Sequence, residues 1–284
     1  MAGIRIVTDS TADLPENIIK EFGITVVPLI VRFGHEALRA GVEITNDEFY
    51  HRLTVDPVHP STSQPSPGDF VEAYKKLLKD ADEIISIHIS AALSGTCDSA
   101  ISASTNDEIN VTTHVVDSRT GSLGLGHMVR LAAEKARDGV GAEQILNELD
   151  NTVRQTRTCF VVETLEFLKR GGRIGAAQAF LGSMLKVKPI LHIMNGVVEP
   201  LDRVRSSRKA IDRIVRYVRE ESGRTELEYA GLMYTTDDTE ATEIRARIDA
   251  EFKVRHWYVA KLGAVIGAHM GPGTVGLTFP AKKL

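Results

Sequence analysis

Apolar residues in the first half of the chain form short runs that alternate with helical patterns. The runs typical of strands cover residues 4–7, 24–33, 83–90, 111–116 and 158–162. Between them, residues 68–80, a segment after Ser94, and residues 124–137 and 141–156 place apolar side chains at helical spacing. Strands that alternate with helices predict an α/β domain, a parallel sheet with helices on its faces.

The second half follows a different pattern. Strand-like residues 188–194 and 197–204 flank Asn195-Gly196, a pair that predicts a type I′ hairpin turn. Helical patterns cover residues 206–221 and 238–251, and further strands are predicted at 228–234, 254–262 and 274–279. This order predicts an α+β domain with a mixed or antiparallel sheet. We therefore expect two domains, 1–162 and 163–284, with a ligand pocket at their junction.

Composition and charge exclude several classes of protein. The 284 residues are 43% apolar and 25% charged, with a formal charge of −4, which is typical of a soluble globular protein. A nucleic-acid partner is not expected, because the chain lacks a net positive charge. Cys97 and Cys159 match no metal-ligand or redox spacing, so we expect two buried free thiols and no metal.

The start of the chain carries Asp9 and Asp13, where a signal peptide would need apolar residues. No apolar run approaches the roughly 18 residues of a membrane span. We therefore expect a cytoplasmic protein without stable membrane insertion.

Residues 61–68 combine hydroxyl side chains with two prolines that restrict the backbone. Ser66 and Gly68 are explained by the start of the helix at 68–80, but Thr62 and Ser63 come too early to cap it. Hydroxyls on a rigid backbone are suited to hold a small anionic or carbonyl group.

Ser94 and Gly95 come where the next helix should begin. Ser94 is either a simple N-cap or a ligand for a carboxylate or phosphate oxygen, together with the free amides of the helix start.

Two further polar positions lie in glycine-rich segments of the second half. Arg173 follows a Gly-Gly bend and precedes a mostly apolar stretch, so we expect it to be buried and paired with a carboxylate or phosphate. Lys169 and Arg170 fit a solvated turn. His269 lies in a glycine-proline bend, and a site role competes there with a structural one.

Six segments taken together resemble the DegV family. They are IVTDSTADLP at 6–15, TSQPSP at 62–67, LSGT at 93–96, VVDS at 115–118, LKRGGRI at 168–174 and HMGPG at 269–273. The resemblance implies a two-domain α/β protein that binds one long-chain fatty acid, such as palmitate, in a tunnel between the domains. In bacteria, some members are the acyl-carrying subunit of fatty acid kinase, whose catalytic subunit makes an acyl phosphate for phospholipid synthesis.

The resemblance also implies roles for residues of this chain. By motif, Thr62 and Ser94 would hydrogen-bond the fatty-acid carboxylate, with Ser63 and Gly95 beside them. Arg173 and His269 would flank the head group and present it to the kinase subunit. No catalytic residue, metal or cofactor is implied, only the bound fatty acid. Cys97 and Gly175 depart from the commonest family pattern, which leaves the acyl-chain preference open.

The apolar stretch at 176–185 has two interpretations. Its larger side chains either line the acyl tail or belong to the ordinary core; they are Phe180, Leu181, Met184 and Leu185.

Two other classes of function compete with fatty-acid binding. A serine hydrolase or acyltransferase would use Ser94 as nucleophile and His269 as base, with Asp9 or Asp117 completing a triad. Ser94 lacks the G-x-S-x-G setting of such a nucleophile. A nucleotide or phosphosugar binder would use the glycine-rich loops, but no Walker-type lysine follows them.

Overall fold

The computed structural model describes residues 3–183 and 187–282. The elements up to residue 155 are β1 (Gly3–Asp9), α1 (Glu16–Phe22), β2 (Thr25–Val27), β3 (Ile30–Phe33), β4 (Glu36–Arg39), α2 (Asn46–Val55), β5 (Ser61–Ser63), α3 (Pro67–Lys75), β6 (Ala81–His88), α4 (Thr96–Ser104), β7 (Thr112–Asp117), α5 (Leu123–Arg137) and α6 (Ala142–Gln155).

The remaining elements are β8 (Thr156–Val161), α7 (Glu166–Arg170), a 3-10 segment (Gly175–Ser183), β9 (Lys188–Met194), β10 (Val197–Val204), α8 (Ser207–Ser222), β11 (Glu226–Tyr234), α9 (Thr239–Asp249), β12 (Lys253–Lys261), α10 (Ala264–Met270) and β13 (Val275–Pro280).

A four-stranded parallel sheet in the order β2-β1-β6-β7 forms the first half, as the alternating pattern predicts. Successive side chains of a strand point to opposite faces, and here both faces are buried. Ile6 and Ile85 pack with α5 and α6, whereas Val7 and Ile84 pack with α3 and α4. The carboxyl ends of β6 and β7 lead into two of the segments that hold the candidate site.

The prediction of a single strand over residues 24–33 is wrong. Residues Thr25–Val27 join the parallel sheet, whereas Ile30–Phe33 belong to a separate antiparallel sheet in the order β4-β3-β5. Pro28 interrupts the run, because proline lacks the amide hydrogen that a continuous strand ladder needs. This small sheet was not predicted, since β4 and β5, the strands that pair with β3, are short and mostly polar.

The prediction that the strand at 158–162 belongs to the parallel sheet is also wrong. β8 lies inside a six-stranded mixed sheet in the order β10-β9-β8-β13-β11-β12. It runs antiparallel to β9 and β13, and Thr158 is opposite Ile193 on one side and Thr278 on the other. The mixed sheet expected for the second half is confirmed, and it begins at Thr156. The domain boundary at 162/163 stays a prediction.

The hairpin between β9 and β10 is confirmed. Asn195 and Gly196 have φ values of 50° and 82°, as a type I′ turn requires. The Ser90 hydroxyl, from the loop after β6, donates a 2.7 Å hydrogen bond to the Gly196 carbonyl. The hairpin turn thus contacts the parallel-sheet half of the molecule beside the candidate site.

Candidate functional site

A cavity of about 310 Å³ lies between the parallel sheet and the mixed sheet. Its walls come from the loop after β6, from the strands β8, β11 and β13, and from α10. Most lining side chains are apolar, including Leu29, Ile89, Leu93, Phe160, Leu168, Ile193, Met233, Leu262, Ile266 and Met270. Such a space suits a mostly apolar ligand.

Polar side chains gather along part of the cavity wall. Thr62 lies in β5 opposite Val31 of β3, and His269 lies in the last turn of α10. The Thr62 hydroxyl and His269 Nε2 form a 2.8 Å hydrogen bond. Ser63 also lines the cavity. Residues 207 positions apart in the chain therefore meet at one site.

Ser94 lines the same cavity, in the turn that precedes α4. It is not the N-cap, because α4 begins at Thr96 and Gly95 holds the cap position. The Ser94 hydroxyl instead pairs with the hydroxyl of buried Thr96 at 2.9 Å.

Gly95 lies beside the cavity, in a surface depression with Ser94 and Arg173. A β-carbon at Gly95 would come within 2.5 Å of the Gln64 amide. A side chain at Gly95 would therefore displace the Gln64 amide of the TSQPSP segment, and Gln64 is a cavity-lining residue that the sequence did not single out. Its position in that motif was the available signal.

Arg173 lines the cavity but differs from the expectation of a buried arginine paired with an anion. Its side chain is exposed. The guanidinium donates from Nε to the Leu93 carbonyl at 3.0 Å and from Nη1 to the Gly171 carbonyl at 2.7 Å. The Gly-Gly bend folds back under the side chain and holds the cation at the surface, adjacent to Ser94.

Burial keeps the His269 imidazole uncharged, whereas the exposed Arg173 brings a positive charge to the surface side of the site. The pKa of His269 is lowered to about 4, first by burial and then by the charges of Arg173 and His59. The imidazole is therefore neutral near pH 7, and a ligand's oxygen atoms would meet hydroxyl and imidazole groups rather than a buried ion pair.

The geometry does not assemble the hydrolase triad. Ser94 bonds Thr96, and His269 Nε2 bonds Thr62, so the expected nucleophile and base are not paired in the described part of the chain. The Asp117 carboxylate accepts hydrogen bonds from the backbone amides of Ala91 and Arg119.

Asp9 belongs to a different, fully buried network. Its carboxylate bonds His88 Nδ1 at 3.0 Å, and His88 Nε2 bonds the Ser86 hydroxyl at 2.7 Å. Tyr74 donates to Ser86 at 2.9 Å. All three members of this Asp-His-Ser chain are 0% exposed, which fits a role in holding β1 and β6 together.

The apolar stretch at 176–185 supports the core interpretation where it is described. Phe180 and Leu181 pack against a buried cluster that includes Phe160 and Leu191, and they do not line the cavity. Met184 and Leu185 lie outside the described residues. The cavity wall instead uses strand and helix positions whose apolar patterns are indistinguishable from ordinary core.

Other predictions concern membranes, metals and thiols. Over residues 3–183 and 187–282, no helix is long and apolar enough to cross a bilayer. The same described ranges hold no group of three or more His, Cys, Asp or Glu side chains arranged for a metal. Cys97 and Cys159 are both buried and free, as predicted, and burial raises the pKa of each thiol to about 12.

The fold and the site together define a class: α/β proteins in which a mostly apolar cavity lies between a parallel sheet and a mixed sheet. The model of the DegV family, whose members are described as uncharacterised proteins, matches residues 3–282. The chain belongs to the DegV family. Protein DegV of Bacillus subtilis is 37% identical and is aligned over 98% of this chain and 99% of its own.

Solved structures agree with this assignment. A DegV family protein from Thermus thermophilus, described by its fatty-acid binding, has a TM-score of 0.93 and 40% identity, covering 98% of this chain and 99% of that one. A stearic acid-binding protein from Eubacterium ventriosum has a TM-score of 0.89 and 27% identity, covering 100% and 99%.

Proposed function

We propose that this protein binds one long-chain fatty acid in the cavity between its two larger sheets. The main support is that the candidate polar side chains all line one mostly apolar cavity. They are Thr62, Ser63, Ser94, Arg173 and His269. The description of structurally similar proteins as fatty-acid binding supports the same assignment.

The tail supplies most of the binding free energy in this proposal. A sixteen-carbon chain has about 14 methylenes, and each contributes roughly 0.8 kcal/mol on burial, so about 11 kcal/mol is an upper limit. Association and ordering reduce this by several kcal/mol. Binding is therefore tight without a buried ionic anchor, which matches the neutral state of His269.

The carboxylate is held by the hydroxyls of Thr62 and Ser94, with Ser63 and Gly95 beside them. Two such hydroxyls orient the head group without enclosing it. Arg173 lies at the surface next to Ser94, where it can contact both the carboxylate and an approaching protein.

The bound fatty acid is then presented to the catalytic subunit of a fatty acid kinase, which forms the acyl phosphate used in lipid metabolism. In this proposal the protein is a cytoplasmic carrier that performs no catalysis itself and binds no nucleic acid. An exposed Arg173 beside a half-buried Ser94 supports such presentation, because a partner could reach the carboxylate from that side.

Organic extraction of freshly purified protein tests the proposal. We expect one fatty acid per chain, and native mass spectrometry should show the matching mass increase. Steady turnover of an acyl ester, abolished by Ser94→Ala, would favour the hydrolase instead. Protein that carries no lipid and takes up no added palmitate would refute fatty-acid binding.

A further inference from the structure

The imidazole of His269 lies between a glycine on one edge and Thr62 on another. A β-carbon at Gly171, the residue after α7, would overlap His269 Nδ1 and would lie 2.7 Å from Cε1 and 3.2 Å from Cγ. The other ring nitrogen, Nε2, lies 2.8 Å from the Thr62 hydroxyl. The position of the ring is therefore set by both neighbours.

The backbone at Gly171 is itself held in place. Its amide donates to the Phe167 carbonyl at 2.9 Å, and the Arg173 amide donates to the carbonyl of fully buried Leu168 at 3.0 Å. The Phe167 ring packs against Gly271, where a β-carbon would overlap the ring. Because these contacts join α7 to the end of α10, an added side chain at Gly171 would displace the imidazole rather than the backbone.

The contact with Gly171 decides which nitrogen of His269 carries the proton. Burial lowers the pKa of His269 to about 4, so near pH 7 the ring is neutral and has one N–H. Glycine carries a hydrogen where other residues carry a β-carbon, and at Gly171 that hydrogen points at Nδ1. A proton on Nδ1 would press against it, and this buried nitrogen has no hydrogen-bond partner among the described residues. A buried N–H without an acceptor is rare and costly, whereas a bare nitrogen accepts a weak contact from a C–H group.

The proton then lies on Nε2, and His269 donates to the Thr62 oxygen. Thr62 keeps its own hydroxyl proton, because its side chain makes no other hydrogen bond within residues 3–183 and 187–282. With the proton on Nδ1 instead, Thr62 would have to donate to Nε2 and would have no proton left for a ligand. The Nε2-protonated form therefore leaves a hydroxyl donor available to the cavity that Thr62 lines.

Gly171 also orients the cation of the candidate site. Its carbonyl accepts a 2.7 Å hydrogen bond from Arg173 Nη1. One backbone unit thus contacts His269 through its Cα hydrogen and Arg173 through its carbonyl. Gly171 itself does not line the cavity, so it acts on a ligand only through these neighbours.

We propose that Gly171 is a positioning residue: its bare Cα holds His269 in the Nε2-protonated tautomer, so that the Thr62 hydroxyl donates its proton to the fatty-acid carboxylate. This inference rests on the proposed function. It gives a role to the first glycine of the Gly-Gly bend, which the sequence indicated only as a turn.

Two-dimensional ¹H–¹⁵N correlation of histidine-labelled protein measures the tautomer, because it separates protonated from bare ring nitrogens. We expect the Nε2-protonated form of His269 in the wild-type protein, both ligand-free and with palmitate; His269→Ala identifies its signals. Gly171→Ala keeps an allowed backbone, with a φ of −74°, and should displace the ring, so that a mixture of tautomers replaces the single form. Gly141→Ala is the matched control, because its φ is −69° and its β-carbon would meet no atom within 4 Å; the His269 signals should not change there.

Palmitate affinity gives a second measurement. Gly171→Ala should weaken binding roughly tenfold, the loss of one hydrogen bond, and Gly141→Ala should leave it unchanged. In a His269→Ala background, Gly171→Ala should have no further effect, because the new β-carbon then meets no imidazole. A merely structural role of Gly171 would instead lower the affinity in both backgrounds.

An Nδ1-protonated His269 in the ligand-free wild-type protein would overturn the inference, as would an unchanged tautomer in folded Gly171→Ala. Equal losses of affinity in the two backgrounds would also overturn it. The wild-type spectrum requires no ligand and no folded variant, so it decides the role of Gly171 even when palmitate does not bind. Failure of the proposed function and failure of the Gly171 role are therefore distinguishable.

Discussion

Gly121 offers a direct test of whether the acyl tail occupies the cavity. It lines the cavity after β7, and its φ lies outside the left-handed region. A β-carbon there would meet Ile266 and Ile89 Cδ1 at 3.5 Å, which is ordinary van der Waals contact. Gly121→Leu should therefore fold, with its remaining three carbons extending into the space assigned to the tail.

The magnitude follows from the displaced methylenes. Three carbons of leucine exclude about three methylenes of palmitate, which removes roughly 2.4 kcal/mol and weakens binding about 60-fold. Laurate is four carbons shorter and still fits, so its affinity should change little. The variant should thus narrow the preference for palmitate over laurate, from roughly 3.2 kcal/mol for the four extra methylenes to roughly 0.8 kcal/mol.

Delipidated protein, titrated with each fatty acid by competition against a fluorescent analogue, measures this change. Gly3→Leu is the matched control, because a β-carbon at Gly3 meets no atom within 4 Å and Gly3 does not line the cavity. Circular dichroism and thermal unfolding establish that both variants are folded. Unchanged palmitate affinity in folded Gly121→Leu would refute a tail in this cavity, whereas equal losses for the two fatty acids would place Gly121 beside the part of the tail that both share.

Three further predictions concern the polar side chains. Thr62→Val and Ser94→Ala should each weaken palmitate binding by roughly 1–3 kcal/mol in calorimetric titration, whereas Ser102→Ala at an exposed site should not; unchanged affinity in both would remove the head-group assignment. Arg173→Ala should reduce acyl-phosphate formation by the kinase subunit more than palmitate binding, and equal losses would count against presentation. His269 has an unfolded pKa near 6.5 and a folded pKa of about 4, so the unfolded state binds the extra proton and stability is lost as pH falls through that interval. The loss should reach up to about 3 kcal/mol in denaturant titrations, and it should be smaller in His269→Gln; an identical pH dependence in both would contradict a buried neutral imidazole.

Local patterns predicted the elements well where one residue type restricts the backbone or one face is apolar. Ser66 caps α3 in a capping box, and Asn195-Gly196 turns the β9–β10 hairpin. The local patterns failed where the pairing partners of a strand decide which sheet it joins. The second half of β8, residues 159–161, is a short apolar run that suits either sheet, and only the ladder to β9 and β13 assigns the strand to the mixed sheet.

The candidate site divides in the same way. The sequence identified Thr62, Ser94 and His269 as candidates, mainly through motifs that resemble the DegV family, and the structure places all three on the cavity wall. The motifs did not identify Ile89 or Gly121, since a wall residue and a core residue have the same composition.

By itself, the sequence determined most of the strands, helices and turns, though not the small β4-β3-β5 sheet, and it showed which polar side chains had no simple local explanation. Those properties depend on neighbours a few residues away. Only the tertiary structure decided that Thr62 bonds His269, that Arg173 stays at the surface, and that an apolar cavity remains between the sheets. Each of these depends on how closely distant segments pack, and the order of residues does not specify that distance.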